Sequence, residues 1–101
     1  RNTRPPIQRC VSSYNLAINQ IRNASFESER KVIARQYIRT NTVSSREVLE
    51  MIQQFDFEST KLEIAKLAYG NTVDPQKYFI VNKGFGFSSS SNALDRYIRN
   101  F

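Results

Sequence analysis

The side chains with the clearest chemical potential in this sequence are cations on a predicted helix. Lys31, Arg35 and Arg39 are spaced four residues apart, which places them on one face of an α-helix. When the sequence is aligned with itself, Arg35 corresponds to Lys66 and Arg96, so stacked copies would bring three equivalent cations into a row. Such a row could bind carboxylates or phosphates. We call Lys31, Arg35, Arg39, Lys66 and Arg96 the basic stripe.

The same cations have a simpler interpretation as members of surface ion pairs. Acidic residues lie three or four positions from several basic ones, which is helical spacing. The predicted pairs are Glu27 with Lys31, Glu63 with Lys66, and Asp95 with Arg99. Paired charges would form an ordinary solvated face, and we favour this interpretation over a binding stripe.

Most catalytic and metal-binding chemistry is excluded by residue types that the sequence lacks. There is no His and only one Cys, Cys10. The chain therefore has no imidazole base, no Ser-His or Cys-His pair, and no thiolate cluster. Glu27 and Glu58 could meet in space, but carboxylates at predicted helix starts usually serve as capping and solvated groups. We expect a protein that is not an enzyme and that uses no cofactor or metal.

Composition and charge are those of one small folded domain. The 101 residues are 40% hydrophobic and 24% charged, and no apolar run approaches the roughly 20 residues of a membrane-spanning helix. The net charge is +6, but Arg1, Arg4 and Arg9 supply half of it. With Pro5 and Pro6 they predict an extended basic arm or linker over residues 1–10. Residues 11–101 are predicted to form one domain, and a signal peptide, if made, would already have been removed.

The sequence repeats itself with a period of 30 or 31 residues. Residues 41–43 (Asn-Thr-Val) return as 71–73, and residues 55–59 (Phe-Asp-Phe-Glu-Ser) return as 85–89 (Phe-Gly-Phe-Ser-Ser). A weaker first copy lies at residues 24–28 (Ala-Ser-Phe-Glu-Ser). A period of this length is typical of one supersecondary unit used several times, with each copy packing on its neighbours.

Apolar residues within each copy recur at helical spacing and predict two helices per copy. Residues 78–81 (Tyr-Phe-Ile-Val) would pass for a buried strand on their own. Their alignment with residues 48–51 of the preceding copy favours a helix. The six predicted helices span residues 14–23, 26–39, 45–54, 57–70, 75–84 and 87–100.

Residues that favour helix starts and ends occur at matching places in the copies. Ser44, with Glu47 three residues later, predicts a capping box, and Asp74 precedes Pro75 in the position of a helix cap. A second series of predicted N-caps contains Ser25, Asp56 and Gly86. Gly70 and Gly84 are predicted to end helices in the left-handed conformation.

The Phe-x-Phe element lies where a short helix meets a long one. We expect Phe55, Phe57, Phe85 and Phe87 all to enter the core and to set the angle between successive helices. Burial of Phe57 and Phe87 in equivalent joints is a condition that we attach to the three-copy model.

Residues 25–30, 55–69, 85–89 and 94–98 resemble the repeated Phe-Asp-Ser-x-Lys/Arg helical motif of the bacterial domain-of-unknown-function family 4476. Ser91 departs from the motif, because it stands where the motif has a basic residue. The resemblance implies an all-helical module, often at the C-terminal end of proteins made with an export signal, so a periplasmic, envelope or secreted location is expected. The family has no assigned activity and no site residues to transfer.

Together these observations predict an all-α fold of three helical hairpins in a compact bundle or short curled solenoid. The expected function is a non-catalytic interaction module whose partner is another protein or an envelope component. The alternative is a polyanion or nucleic-acid binder that uses the basic helix faces, and a salt-sensitive affinity would distinguish it. A protein-interaction module should instead expose an apolar patch rimmed by polar groups.

Overall fold

A computed structural model describes residues 13–101, which form six helices and contain no β-strand longer than a single bridge. The predicted basic arm at residues 1–10 and Cys10 lie outside the described residues. The all-α prediction is confirmed, and the predicted helix ends differ from the observed ones by at most two residues. The helices are α1 (Ser13–Asn23), α2 (Glu27–Thr40), α3 (Ser45–Ile52), α4 (Glu58–Tyr69), the 3₁₀ helix η1 (Pro75–Gly84) and α5 (Ser88–Arg99).

The helices form two rows, with one helix of each copy in each row. In the first row α3 lies between α1 and η1, and in the second row α4 lies between α2 and α5. Within the first two copies α1 packs on α2 and α3 packs on α4. The repeat therefore produces a short stack of helical pairs. Within residues 13–101, α4 is covered on both sides, and α2 and α5 each have a neighbour in their row on one side only.

The core lies between the two rows. It is built mainly from aliphatic side chains at the helical spacing seen in the sequence, and Tyr14, Phe55 and Tyr78 add aromatic rings. The larger apolar residues with no more than 1% of their surface exposed are Ile21, Ile38, Val43, Val48, Met51, Ile52, Ile64, Val81 and Leu94.

The connections from a long helix to the next short helix also pair with each other. The Val43 amide donates to the Asn71 carbonyl at 3.0 Å, and the Val73 amide donates to the Val43 carbonyl at 2.9 Å. Asp74 accepts hydrogen bonds from the Ser45 amide at 2.7 Å and the Ser45 hydroxyl at 3.0 Å. The repeated Asn-Thr-Val segments thus align two copies through backbone contacts.

The 3₁₀ geometry of η1 matches the spacing of its buried residues, which differs from that in α3. In α3 the buried side chains include Val48, Met51 and Ile52, which needs the α-helical period. In η1 the buried residues are Tyr78, Val81 and Gly84, spaced three apart, and that spacing fits the three residues per turn of a 3₁₀ helix. Asn82 stands at the position of Ile52 and is exposed. The helix prediction for residues 78–81 is confirmed.

Gly70 and Gly84 end helices as predicted, but the left-handed conformation expected of both was wrong. Gly70 has φ of −67° and ends α4 in a right-handed conformation. Gly84 closes η1 because of space: a Cβ atom there would lie 2.6 Å from Cδ1 of Ile52. Glycine is therefore needed at 84 so that η1 can approach α3.

The capping box at Ser44 is confirmed, since Ser44 and Glu47 each bond the other's backbone amide. The second cap series was wrong by one residue. The N-cap positions of α2, α4 and α5 are Phe26, Phe57 and Phe87, all with extended backbone and none with a side-chain cap.

The predicted burial of Phe57 and Phe87 was also wrong. Phe55 is 2% exposed, as expected, but Phe57 and Phe87 are 61% and 66% exposed. The chain bends at Asp56, and the amides of Asp56 and Phe57 donate to the carboxylate of Glu27 on the surface, so the second ring points outward. The burial condition on the three-copy model therefore fails. The copies are nevertheless equivalent in backbone position, because Phe26 is 67% exposed at the same place in copy one.

The two rings of one joint make a matched test of this arrangement. We expect Phe55→Ala to lower the free energy of unfolding by about 3–5 kcal/mol, because it empties a core site. Phe57→Ala removes an exposed ring and should change it by less than about 0.5 kcal/mol. Urea unfolding followed by circular dichroism measures both, and equal losses would contradict the outward position of Phe57.

Candidate binding surface

The surface of interest is built around the three joints, where a short helix ends and a long helix begins. Copy one is joined to copy two by the carboxylate of Glu27, the first residue of α2. It accepts hydrogen bonds from the amides of Asp56 and Phe57, both at 3.0 Å. A side chain from one copy thus occupies the exposed backbone donors of the next joint.

Copy two is joined to copy three in the same way. Glu58, the first residue of α4, accepts hydrogen bonds from the Gly86 amide at 2.7 Å and the Ser90 hydroxyl at 2.6 Å. These bonds hold the pKa of the Glu58 carboxyl below its ordinary value, with the Ser90 hydroxyl as the largest cause and the Gly86 amide next.

A cation three residues after each glutamate completes the contact. The Arg30 guanidinium donates to the Gln54 carbonyl at 2.8 Å, and the Lys61 ammonium donates to the Gly84 carbonyl at 3.0 Å. Each long helix therefore contacts the next joint with a Glu-x-x-Arg/Lys pair, in which the carboxylate binds amides and the cation binds a carbonyl. We call this pair the connector.

The connector is absent from copy three. Ser88 stands at the position of Glu58, and Ser91 stands at the position of Lys61. The first turn of α5 accordingly contains no acidic residue. The stack ends at α5 with an altered surface.

The same joints expose one phenylalanine each, and we call Phe26, Phe57 and Phe87 the aromatic row. The rings are 67%, 61% and 66% exposed, and each follows the residue at which the chain bends into a long helix. Because α2, α4 and α5 are successive neighbours, the three helix starts that carry these rings lie along one edge of the domain. Serines two residues further on border the row at Ser28, Ser59 and Ser89, all exposed.

The family model of DUF4476, a domain of unknown function, matches residues 8–98 of the chain. The chain belongs to this family. No curated protein and no solved structure matches the chain. The DUF4476 assignment agrees with the expected all-helical module.

Within residues 13–101 of this DUF4476 domain, no helix combines the length and the apolar character needed to cross a bilayer. The same residues contain no cluster of three or more Asp, Glu, His or Cys side chains that could hold a metal ion.

The structure divides the basic stripe between different environments. Lys31 pairs with Glu63 of α4 at 2.9 Å, and Lys66 lies 5.7 Å from the centre of the Tyr97 ring. Arg35 and Arg39 line one surface depression, whereas Arg96 lines another beside Arg99. The stripe as a ligand site stays a prediction.

Only one of the three predicted ion pairs has the expected partner. Asp95 and Arg99 lie 3.1 Å apart. Glu27 and Glu63 instead make the contacts between copies described above. Helical spacing alone suggested partners within one helix, but the stacking of copies brings backbone amides and other side chains closer.

The connector was missed in the sequence, although its signal was present. Glu27 and Glu58 recur with the repeat period and so do Arg30 and Lys61. Sequence reasoning assigned the glutamates to their own helix starts, because a carboxylate there complements the helix dipole. The partners lie a full copy away and could be identified only from the packing.

Glu58→Gln should destabilise the domain in a pH-dependent way. Because the folded-state pKa of Glu58 is lowered, its carboxylate stabilises the fold above the unfolded pKa, about 4.3 for a free glutamate. This contribution is lost as the pH falls through the folded pKa. Urea midpoints should therefore be lower for the variant at pH 7 and should converge with the wild type in acid.

The matched control is Glu29→Gln, since Glu29 is exposed and makes no ion pair among residues 13–101. It should leave the midpoint unchanged at every pH. A constant difference between Glu58→Gln and wild type down to pH 2 would show that the carboxylate charge is not what joins the copies.

Proposed function

We propose that this DUF4476 domain is a non-catalytic protein-interaction module that binds its partner through the aromatic row. The partner is another protein or an envelope component. The observation that supports this proposal is the exposure of three equivalent phenylalanine rings on one edge of the domain.

Exposed rings at these positions do not contribute to the core, so their presence needs another explanation. A continuous apolar patch with a polar border is typical of an interaction site, whereas scattered apolar residues are not. The row has such a border, since Ser28, Ser59 and Ser89 are exposed beside it. Aromatic side chains are enriched at protein interfaces because each buries a large area with few rotatable bonds.

The rigidity of the row favours binding further. Glu27 and Glu58 hold the backbone on which the second and third rings are mounted. A row that is already fixed loses little conformational entropy when a partner binds, so more of the contact energy is retained as affinity.

Peptide display tests this function without a known partner. Random peptides are selected on the immobilised wild-type chain alone. The selected peptides are then titrated with the wild type and with a Phe26→Ser, Phe57→Ser, Phe87→Ser variant. We expect selected peptides to bind the variant at least about tenfold more weakly than the wild type, because the variant loses most of the apolar contact area. Fluorescence anisotropy with labelled peptides gives both affinities.

The matched control is Phe79→Ser, which removes an equally exposed ring, 70%, from η1. It should leave peptide affinity unchanged. Peptides that bind the triple variant as tightly as the wild type, or that depend on Phe79 instead, would contradict a function for the row.

The second candidate function is polyanion binding. It is supported by Arg35 and Arg39, which line one depression and have no ion-pair partner among residues 13–101. Lys31 contributes less to this candidate, because its ammonium is already paired with Glu63.

Labelled DNA, RNA and heparin titrated at two salt concentrations test the second candidate. If it is correct, affinity should fall steeply with salt and survive removal of residues 1–10. Affinity should be lost in the double variant Arg35→Ala, Arg39→Ala. It should be kept in the double variant Arg46→Ala, Lys83→Ala, which removes the same charge at other places. Absence of binding, or binding lost with the arm, would reject it.

A further inference from the structure

The joint of copy one has the backbone groups that a connector binds, but nothing among residues 13–101 binds them. The amides of Ser25 and Phe26 correspond to those of Asp56 and Phe57, which are bound by Glu27. The carbonyl of Asn23 corresponds to that of Gln54. Within the described part of the chain, none of these three groups in copy one makes a hydrogen bond.

The surface beside this joint is open as well. The outer side of α1 and α2, opposite α3 and α4, exposes Leu16 at 56% and Val32 at 50%. A cavity of about 700 Å³ begins at the joint, between Ala24 and Val32. A second cavity of about 520 Å³ continues it along Leu16 and Ile33. We call this side of the first pair the outer face.

We propose that the outer face and the first joint bind a helix of a separate polypeptide that begins with Glu-x-x-Lys or Glu-x-x-Arg and is followed by an apolar residue. The domain itself contains two examples of a helix that covers an equivalent surface. In copies two and three, the equivalent joint is covered by the preceding long helix. Its connector binds both amides and the carbonyl in copy two, and the Gly86 amide, the Ser90 hydroxyl and the carbonyl in copy three.

The apolar residue of the partner follows from the register of the copies. Lys31 of α2 faces Glu63 of α4. The counterpart of Glu63 in copy one is Val32. A partner helix with a cation at the position of Lys31 would therefore place that cation against Val32, where it would have no ion-pair partner. An apolar side chain fits there, and the chain has this combination in α4, where Leu62 follows Lys61.

The charge of the outer face predicts the charge of the partner helix. Arg35 and Arg39 are unpaired among residues 13–101 and lie at the far end of the face. In the stack, Lys66 of α4 lies over Tyr97 of the next copy. The counterpart of Tyr97 in copy one is Gln36, which lies between the two arginines in the sequence. The partner residue equivalent to Lys66 would therefore lie beside Arg35 and Arg39. A partner helix should therefore carry an acidic residue at the position of Lys66.

The connector cannot come from a second copy of this domain. Glu27 and Glu58 are already engaged, and the free end at α5 has Ser88 and Ser91 in place of the connector. Residues 1–12 contain no acidic residue and so hold no connector glutamate. We assign the occupant to another protein.

A stapled helical peptide tests the proposal on the full chain. It has the sequence of residues 57–69 with Lys66→Glu, and the staple replaces Ser59 and Glu63, because Glu63 points to the preceding copy. We expect it to bind and to shift the ¹⁵N and ¹H resonances of the Ser25 and Phe26 amides. A control peptide with Glu58→Gln and Lys61→Ala should bind at least about tenfold more weakly, since charge-assisted bonds are lost.

Variants of the chain locate the site. Val32→Asp should weaken binding at least about tenfold, because it places a carboxylate on the apolar face and against the acidic peptide. Val73→Asp changes a valine that is 63% exposed elsewhere and should have no effect. Both substitutions are at exposed positions, and circular dichroism would verify that both variants fold.

Three results of the peptide titration would overturn the proposal. They are the absence of binding, equal binding of the control peptide, and amide shifts confined to another region. Contacts from residues 1–12 to Ser25 and Phe26 in the free chain would do so as well, because the joint would then be filled from within. The aromatic row shares only Phe26 with this site, so peptide display on the row and this titration can fail independently.

Discussion

The stacking of this domain depends on a carboxylate that reaches from one copy of the repeat to the backbone of the next. Glu27 and Glu58 stand at the first residue of a long helix, and each binds groups at the following joint. A hydrogen bond to an ionised carboxylate is about twice as strong as one between neutral groups. With Arg30 and Lys61 on neighbouring carbonyls, it sets both the distance and the register of successive pairs.

Because the connector binds backbone groups, it places few demands on the side chains of the next copy. Amides and carbonyls are present whatever residue carries them, and so Asp56 and Gly86 can occupy equivalent joints. This tolerance allows the copies to diverge. Copy three has a 3₁₀ helix where copy two has an α-helix, with Asn82 at the position of the buried Ile52, yet its joint is bound in the same manner.

The stack has two unlike ends. At α5 the connector is replaced by serines, and Phe101 packs against Tyr69 with ring centres 5.1 Å apart. At α1 and α2 the joint amides lack a partner among residues 13–101, and apolar side chains line open cavities. A stack held by directional contacts necessarily ends in a free joint on one side and in a free long helix on the other. Only the joint of copy one keeps the backbone groups that a connector binds.

The amino-acid sequence by itself determined the helices, their order and most of the core. Apolar spacing located six helices to within two residues, and the repeat period showed which of them are equivalent. The capping box at Ser44 could be read locally because both partners lie within four residues. Membership in an all-helical family of unknown function was also evident from the motif residues.

Only the tertiary structure decided which ring of each Phe-x-Phe element is buried and where the glutamates bind. Phe55 and Phe57 are equally hydrophobic, and the bend between them sends one ring inward and the other outward. The direction of that bend depends on amides held by Glu27, 29 and 30 residues earlier in the chain. Local patterns contain no information on contacts at that separation, because such contacts exist only once the helical pairs have stacked.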